Sequence, residues 1–514
     1  MSASSRQPKA RKDVAQAVQW LRAHTGAGAE LHADTRSLKS GDVFLAYAVD
    51  GADNRQYIDT ALANGAAAAL YQPENFGAKP DAAKTLAVKS LNELAGPIAA
   101  AWYGEPTESM LTVGVTGTNG KTSCSQWLAT ALTALGSPCA IVGTLGIGMP
   151  GKLVASGFTT PDAPQLQRNL AQLKAAGAQA VVMEVSSHAL HQGRVNGTNF
   201  DIAIFTNLTQ DHLDYHVTFD AYEAAKARLF AWPSLKAAVI NRDDAAGQRL
   251  IESLRGTVRT IAYGVGTPAE AAPRADATLF ATNVRATANG TAFHLASDWG
   301  EADVEVGTLG AFNVSNLLGV LGALLETGVP LDAALAQIAK LEPVNGRMQR
   351  LGGRLQNDEP LVVIDYAHTP DALEKTLDAL RPIAEARAGQ LVCMFGCGGD
   401  RDATKRPLMG AIAEKLADQV VITSDNPRSE DPLAIIDQIA AGMSDASHAR
   451  RIEDRASAIL QAIRTAARED VVVLAGKGHE ATQEIMGKKR AFSDQDHARL
   501  ALAARATQTR GGGE

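Results

Sequence analysis

Residues 110–122 read MLTVGVTGTNGKT, and no other stretch restricts the fold as much. A β-branched, apolar run built on Leu111, Thr112, Val113 and Val115 breaks at Gly117-Thr118-Asn119-Gly120. Lys121-Thr122 then open a helical pattern, SCSQWLATALTALG. Buried strand, glycine loop and helix start, in that order, make a phosphate cradle. Small residues let backbone N–H groups close on phosphate oxygens, and the helix N-terminus adds a favourable dipole. Lys121 adds a point charge, and Thr122 a hydroxyl that can hold Mg²⁺. The strict pattern has Gly five residues before Gly120, where this chain has Val115; Gly114 and Gly117 lie nearby, so the loop is a variant. The plainer reading is an ordinary glycine-rich turn, but Gly-Lys-Thr at a helix start after a buried strand is rarely accidental. The loop points to ATP or GTP and leaves kinase, switch and ligase open.

A chain of 514 residues exceeds what one core supports and predicts about three domains. Residues 1–108 lack a phosphate loop. Within them Lys39-Ser40-Gly41-Asp42 turns into a Val-Phe-Leu strand, and NRQYIDTALANGAAAALY reads as a helix ended by Gly65 and a short strand. From 109 to 346 strands (MLTVGV, AIVGTLG, AQAVVMEVS, DIAIFTNL, LKAAVIN) alternate with helices. From 347 to 514 the alternation restarts with LVVIDYAH, QLVCMFGCGG, QVVITSDNP and VVVLAGKG. Such runs are buried parallel strands, and ligands gather at their C-terminal ends. The expected class is α/β: a small N-terminal α/β module, a central P-loop parallel-sheet ATPase domain and a Rossmann-like C-terminal domain.

The net charge of −7 argues against a general nucleic-acid binder. No apolar run approaches the ~20 residues needed to span a bilayer. The basic N-terminus (MSASSRQPKARKDVAQ) has no apolar segment after it and does not read as a secretory signal. Cys124, Cys139, Cys393 and Cys397 form no disulfide framework, and the CxxxC pair lacks the second ligand pair of a zinc site; buried thiols in a reducing cytoplasm fit better. The tail TQTRGGGE is expected to be disordered.

Glu184 follows the run AVVM, where an acid beside a phosphate loop can hold Mg²⁺; a solvated loop glutamate is the even alternative. Four histidines, His188, His191, His212 and His216, lie close in sequence. His212 and His216 have the spacing of a helical zinc pair, but no HExxH pattern or cysteine ligand supports zinc, and structural roles suit each one singly. His212, just after DIAIF in TNLTQDHLDYH, is the one placed to ligate a second cation. Composition alone makes Lys226, in FDAYEAAKARLFAW, a solvated lysine.

GTNGKT, EVSSHAL, TNLTQDHLDYH and YEAAKARLF, in this order, resemble the Mur ligase family, ATP-dependent amide-forming enzymes of peptidoglycan synthesis. The resemblance extends over nearly the whole chain, through HADTRSLKSGDVF, GAFNVSNLLG, NGRM, DYAHTPDAL, GCGGDRD, SDNPR and AGKGHE. It implies three domains, for a UDP-linked substrate, ATP and the incoming amino acid, and a member that extends UDP-N-acetylmuramoyl-L-alanyl-D-glutamate in the cytoplasm as a monomer. By the same resemblance Gly117, Thr118, Asn119, Gly120, Lys121 and Thr122 hold the ATP phosphates. Thr122, Glu184 and His212 hold Mg²⁺. Lys226 matches the lysine such enzymes carbamylate with CO₂, which would turn a cation into an anionic oxygen ligand. That step needs a neutral amine, so a depressed pKa is expected. Lys121, Lys226 and His212 are then the catalytic set. Asn313 and Asn316 match residues near the adenine, Arg347 a nucleotide-contacting arginine, and Asp365 and His368 groups that reach ATP from the third domain. Thr159, Thr160, Ser186, Gln192 and Arg194 match contacts to the UDP-muramoyl-dipeptide. Thr35 stands where the DSR-type motif commonly has serine, Asp50-Gly51-Ala52 in a loop that varies in the family, and Phe158 where some relatives have asparagine.

Asp425-Asn426-Pro427-Arg428 closes the run QVVITS. Proline stiffens this turn, and a fixed guanidinium fork suits a carboxylate, although a surface arginine is commoner. In the family, DNPR marks members that add meso-diaminopimelate, and lysine-adding members usually lack this arginine. Arg401, Gly476 and Glu480 match further diaminopimelate contacts, with Glu480 suited to the distal ammonium. A lysine-adding ligase, folylpolyglutamate synthase and a nucleotide-switched binding protein without ligase activity are the alternatives.

Overall fold

The computed structural model describes residues 3–511 apart from 79, 267–273 and 288–289. Three sheets with separate cores follow one another along the chain. The first has four parallel strands in the order Leu31–His32, Val43–Ala46, Ala68–Tyr71 and Thr85–Ala87. Val43–Ala46 is buried along its whole length, as a parallel strand covered on both faces must be. On one face Val43 and Leu45 pack with Leu21, Leu91 and Ile98, from the helices Ala3–His24 and Leu91–Trp102. On the other, Phe44 and Ala46 pack with Ile58 and Ala61 of the helix Ile58–Ala63.

The second sheet has eleven strands. Seven run parallel, in the order Cys139–Gly143, Ala180–Glu184, Leu111–Thr116, Ile202–Phe205, Ala237–Asn241, Arg259–Val265 and Ala277–Ala286. Alternate residues serve opposite faces. Val113, Val115 and Val182 join Leu128, Leu317 and Leu321 of the helices Lys121–Ala134 and Ala311–Glu326. Val181, Met183 and Phe205 join Leu166, Leu170 and Ile251 of the helices Ala163–Ala175 and Ala245–Leu254. Gly114 belongs to this packing and not to the phosphate loop: a β-carbon there would lie 3.0 Å from the Phe200 ring. The chain leaves Leu111–Thr116 toward Cys139–Gly143 on one side and later takes up Ile202–Phe205 on the other. The crevice at that reversal, beyond the C-terminal strand ends, is where an open α/β sheet binds ligands.

The third sheet runs Gln349–Gly352, Leu361–Asp365, Val471–Ala475, Leu391–Phe395, Gln419–Thr423 and Ala449–Ile452, parallel except for its first strand. Val471–Ala475 inserts between two strands formed earlier, so its loop meets those after Leu361–Asp365, Leu391–Phe395 and Gln419–Thr423 at one edge.

Two expectations change. Antiparallel strands absent from the sequence reading extend the middle sheet at both ends, Gly146–Met149 with Lys152–Val154 and Thr291–Ser297 with Gly300–Val306. The tail expected to be disordered is helical through Gly511, in the helix Asp494–Gly511; residues 512–514 lie outside the described residues. No helix among the described residues is long and apolar enough to cross a membrane. The four cysteines are buried and free.

Candidate functional site

The phosphate loop is shaped by the strand beside it. Thr118 N donates to Asn207 O at 2.8 Å, Asn119 N to Asn207 Oδ1 at 2.9 Å, and Thr206 Oγ1 to Asn119 O at 2.5 Å. Gly117 has φ +148°, and a β-carbon on it would overlap Thr206 Oγ1. Gly120, at φ +87°, would overlap Asn316 Oδ1. Both glycines are therefore required by close approach as well as by backbone conformation. Thr206 and Asn207 were not singled out from the sequence; their signal was their place directly after a strand adjacent to the loop strand. Asn313 and Asn316 are buried behind the loop, with Asn316 Nδ2 donating to Asn313 Oδ1 at 3.4 Å.

Two lysines meet on one carbonyl. Lys121 Nζ donates to Gly117 O and Thr118 O, and Lys226 Nζ donates to Gly117 O, each at 2.8 Å. Lys226 is buried in the helix Phe219–Ala227, against the solvated reading that composition suggests. Burial, reinforced by the Lys121 ammonium, holds its amine well below the usual lysine range. The Lys121 amine is also lowered by burial, against the pull of Glu184 and Asp211. Tyr222 braces this corner: its ring lies 4.5 Å from Lys226 Nζ and its hydroxyl 3.0 Å from Thr118 Oγ1.

Glu184 is fully buried as the last residue of its strand, not in a solvated loop. It accepts from Thr122 Oγ1 at 2.9 Å, Thr144 N at 2.8 Å and Thr144 Oγ1 at 3.1 Å. Carboxylate and hydroxyl oxygens beside a phosphate loop are the donor set a hard cation such as Mg²⁺ takes. His212 is not a helical partner of His216. It caps the helix Leu213–His216 from a left-handed conformation, at φ +54°, with Nε2 3.3 Å from Asp211 Oδ2. Burial raises the Asp211 carboxyl, but His212, His368, the His212 N–H and Lys121 together leave the net shift downward. His216 Nε2 lies 2.9 Å from Ser187 Oγ, and His188 stacks on Tyr215 at 4.1 Å.

Four of the expected substrate residues converge beside Glu184. Thr160 Oγ1 donates to Glu184 O at 2.8 Å, Ser186 N donates to Thr160 Oγ1 at 3.3 Å, Arg194 Nη1 donates to Thr160 O at 3.2 Å, and Arg194 Nε donates to Gln192 Oε1 at 2.8 Å. Thr159 Oγ1 lies 3.1 Å from Thr144 Oγ1, and Phe158 stands exposed with its ring 5.8 Å from the Arg194 guanidinium. Tyr215 joins them: Gln192 Nε2 donates to its hydroxyl at 3.0 Å, and that hydroxyl donates to Asp50 of the N-terminal module. Burial and Asp50 push the Tyr215 phenol up to about 12. Thr35 lies on a half-buried turn between Asp34 and Arg36, which pair with each other.

The third sheet faces the phosphate loop. Arg347 Nη2 donates to Thr122 Oγ1 at 3.2 Å while its guanidinium covers the Tyr366 ring at 4.3 Å. Asn119 Nδ2 donates to Asp371 Oδ2 at 3.2 Å. Asp365 serves its own domain, accepting from Met348 N at 2.8 Å, Ala367 N at 3.1 Å and Thr376 Oγ1 at 3.2 Å; burial raises its carboxyl against Arg347. His368 is lowered by burial and Lys405, against Asp211. His479, not singled out from the sequence, is pushed down to about 4 by burial, Arg347 and Lys477.

At the same edge Arg428 adopts φ +53° and donates from Nη1 to Gly399 O at 2.6 Å. A β-carbon at Gly398 would lie 2.9 Å from Arg428 Nη1 and 3.8 Å from Arg401 Cγ. One at Gly476 would lie 2.8 Å from Asp425 Oδ2. Asn426 Nδ2 donates to Glu480 Oε2 at 2.8 Å. The Arg428 guanidinium and the Asp425 and Glu480 carboxylates thus stand among glycine-walled loops with buried Pro427, and Arg401 lies exposed beside them, its Nη1 donating to Asp400 O at 3.1 Å.

The family model described as the Mur ligase middle domain matches residues 115–324, and that described as Mur ligase, glutamate ligase domain, matches residues 346–478. A relative from Ralstonia nicotianae, named UDP-N-acetylmuramoyl-L-alanyl-D-glutamate--2,6-diaminopimelate ligase, is 59% identical over 508 residues, 98% of each chain. A protein of the same name from Pseudomonas aeruginosa is 51% identical over 92% of this chain and 95% of its own. A solved structure of a ligase of that name aligns with TM-score 0.66 at 37% identity, covering 93% of this chain and 95% of its own.

Proposed function

Because this chain belongs to the Mur ligase family, we propose that it joins meso-2,6-diaminopimelate to the D-glutamate of UDP-N-acetylmuramoyl-L-alanyl-D-glutamate at the expense of ATP, in the cytoplasmic stage of peptidoglycan synthesis. The observation that carries the reading is the juxtaposition of two edges. A phosphate loop with half-buried Lys121 and buried Lys226 faces, through Arg347–Thr122 and Asn119–Asp371, the third sheet, whose strand edge bears Arg428 and Glu480. Relatives named for this activity match nearly the full length, N-terminal module included, which folylpolyglutamate synthase would leave unexplained.

Residues 1–108 with Thr35 take the uridine end, 109–346 the ATP and 347–514 the amino acid. Thr159, Thr160, Ser186, Gln192 and Arg194 hold the muramoyl-dipeptide beside Glu184. The γ-carboxylate of D-glutamate attacks the ATP γ-phosphate; the P–O bond to ADP breaks and an acyl phosphate forms. Gly117–Thr122 N–H groups and Lys121 offset the gathering negative charge. Thr122, Glu184, His212 and a Lys226 carbamate would hold Mg²⁺, which supplies further neutralisation of phosphate charge when bound. The low amine pKa of Lys226 supports the carbamate, since only a neutral amine adds to CO₂. Asn313, Asn316, Arg347, Asp365 and His368 enclose the nucleotide. Arg428 and Arg401 receive the distal carboxylate of diaminopimelate, Glu480 the distal ammonium, and Asp425, Asn426, Pro427 and Gly476 shape the pocket. The free amine attacks the acyl carbon, a C–N bond forms, phosphate leaves, and the nitrogen gives up its proton. Closed domains keep water from the acyl phosphate.

Hydroxylamine trapping tests the chemical step. With ATP, Mg²⁺ and the UDP-substrate but no amino acid, hydroxylamine should yield an acyl hydroxamate and ADP. ADP release with no hydroxamate would instead support a nucleotide switch.

A further inference from the structure

Lys477 has no role in the steps above, yet its side chain is wholly buried at the amino-acid edge. Lysine takes such a position when its charge is matched and its donors are filled. Nζ donates to Glu480 Oε2 at 2.7 Å, to Thr482 O at 2.8 Å and to Asn426 Oδ1 at 3.2 Å. An ammonium has three N–H groups, so one goes to each of three segments. These are the DNPR loop, the loop after Val471–Ala475, and the hairpin of Thr482–Ile485 with Lys488–Ala491. Among the described residues the hydrogen bonds to the Glu480 carboxylate fall on Oε2, from Lys477 and Asn426, leaving Oε1 for a ligand. The same hairpin grips Arg428: Arg428 N donates to Glu484 O at 3.0 Å and Met486 N to Arg428 O at 2.6 Å. Lys477 therefore ties the acid to the strand pairing that sets the arginine.

We infer that Lys477 is a positioning residue that makes this edge select an amine whose far end carries both an ammonium and a carboxylate over one whose far end carries an ammonium alone. The inference rests on the amino-acid-adding reading above. Glu480 already forms half of an ion pair with Lys477, so a ligand ammonium gains little there by itself. A lone ammonium also brings an unbalanced positive charge toward Lys477, Arg428 and Arg401. A zwitterionic end brings no net charge and gives Arg428 its carboxylate. Without the Lys477 charge, Glu480 becomes an uncompensated acid, which favours a simple cation, and its position is no longer fixed for the zwitterion.

The test compares Lys477→Gln, Lys477→Met and Lys477→Arg with the wild-type enzyme. It measures kcat and KM for meso-diaminopimelate, L-lysine and ATP, with melting curves alongside. Lys477→Gln keeps a donor while removing the charge, and covers the case in which Lys477→Met fails to fold. The expected result is a fall of at least about 10-fold in the diaminopimelate-to-lysine ratio of kcat/KM. That fall arises through KM, with KM for ATP within about twofold, and Lys477→Arg stays close to wild type. An unchanged ratio in Lys477→Gln, or an equal loss for both amines through kcat, overturns the inference. A wild-type enzyme that turns over with neither amine is a different result, and rejects the ligase reading.

Discussion

Lys226 shows how a residue's chemistry can be hidden by its neighbours in sequence. The segment FDAYEAAKARLFAW is polar enough that an average lysine in it would face water. The fold instead directs Nζ to Gly117 O, beneath the phosphate loop and beside Lys121. Only the resemblance to a known family marked this lysine, because burial depends on a loop more than a hundred residues earlier in the chain. Glu184 was half legible: the apolar run before it predicted a strand end, but its bonds to Thr122 and Thr144 depend on strand order. Two outcomes follow from Lys226. Lys226→Ala should abolish turnover, with partial recovery on adding formate or acetate as a detached carboxylate; wild-type activity in that variant would end the carbamate proposal. The depressed amine pKa also has a stability consequence. Between the folded-state pKa and the unfolded value near 10.4, the unfolded chain binds the additional proton, so stability rises with pH in that window. In CO₂-free buffer Lys226→Met should therefore melt above the wild type at neutral pH, and the difference should shrink as pH approaches 10. A difference that is flat or widens with pH would contradict a neutral buried amine.

At the scale of elements, the buried parallel strands were readable because each is a continuous apolar run with a turn after it. The edge strands were not. Gly300–Val306, GEADVEV, alternates exposed acids with half-buried Gly300 and Ala302 and buried Val304 and Val306, since only one side of it meets the core. Lys488–Ala491 is exposed along its length. Such strands are specified by pairing with a neighbour more than by their own hydrophobicity. The phosphate loop shows the same dependence. Its glycines were legible, but the reason for Gly117 lies in Thr206 of the adjacent strand end. Gly117→Ala should raise the Kd for ATP by at least about 100-fold, corresponding to roughly 2.7 kcal/mol. Its circular dichroism should match the wild type, because the clash is confined to a loop. ATP binding within about threefold of wild type would show that the loop tolerates a β-carbon.

For the whole molecule, the proposed function depends on three sheets held against one another. The N-terminal module reaches the middle domain through Asp50–Tyr215 and through Arg168, whose Nη1 lies 3.1 Å from Glu30 Oε2. The third domain reaches the phosphate loop through Arg347 and Asp371. The number of domains was legible from length and from the restart of strand–helix alternation. Their mutual placement was not, because it depends on surfaces that meet only in the fold: Gly96 of the helix Leu91–Trp102 lies against the Asn196–Gly197 backbone, and Leu309 and Phe312 pack into the third-domain core. On the proposed reading, amine choice is a property of the third sheet, where Arg428 stands in the loop after Gln419–Thr423. The most direct measurement is the initial rate of ADP formation with ATP, Mg²⁺ and UDP-N-acetylmuramoyl-L-alanyl-D-glutamate, supplied with either meso-diaminopimelate or L-lysine. The expected result is turnover with diaminopimelate and a kcat/KM for lysine lower by a factor on the order of 10⁴, since lysine leaves Arg428 without a carboxylate. Lysine turnover equal to or faster than that with diaminopimelate would contradict it.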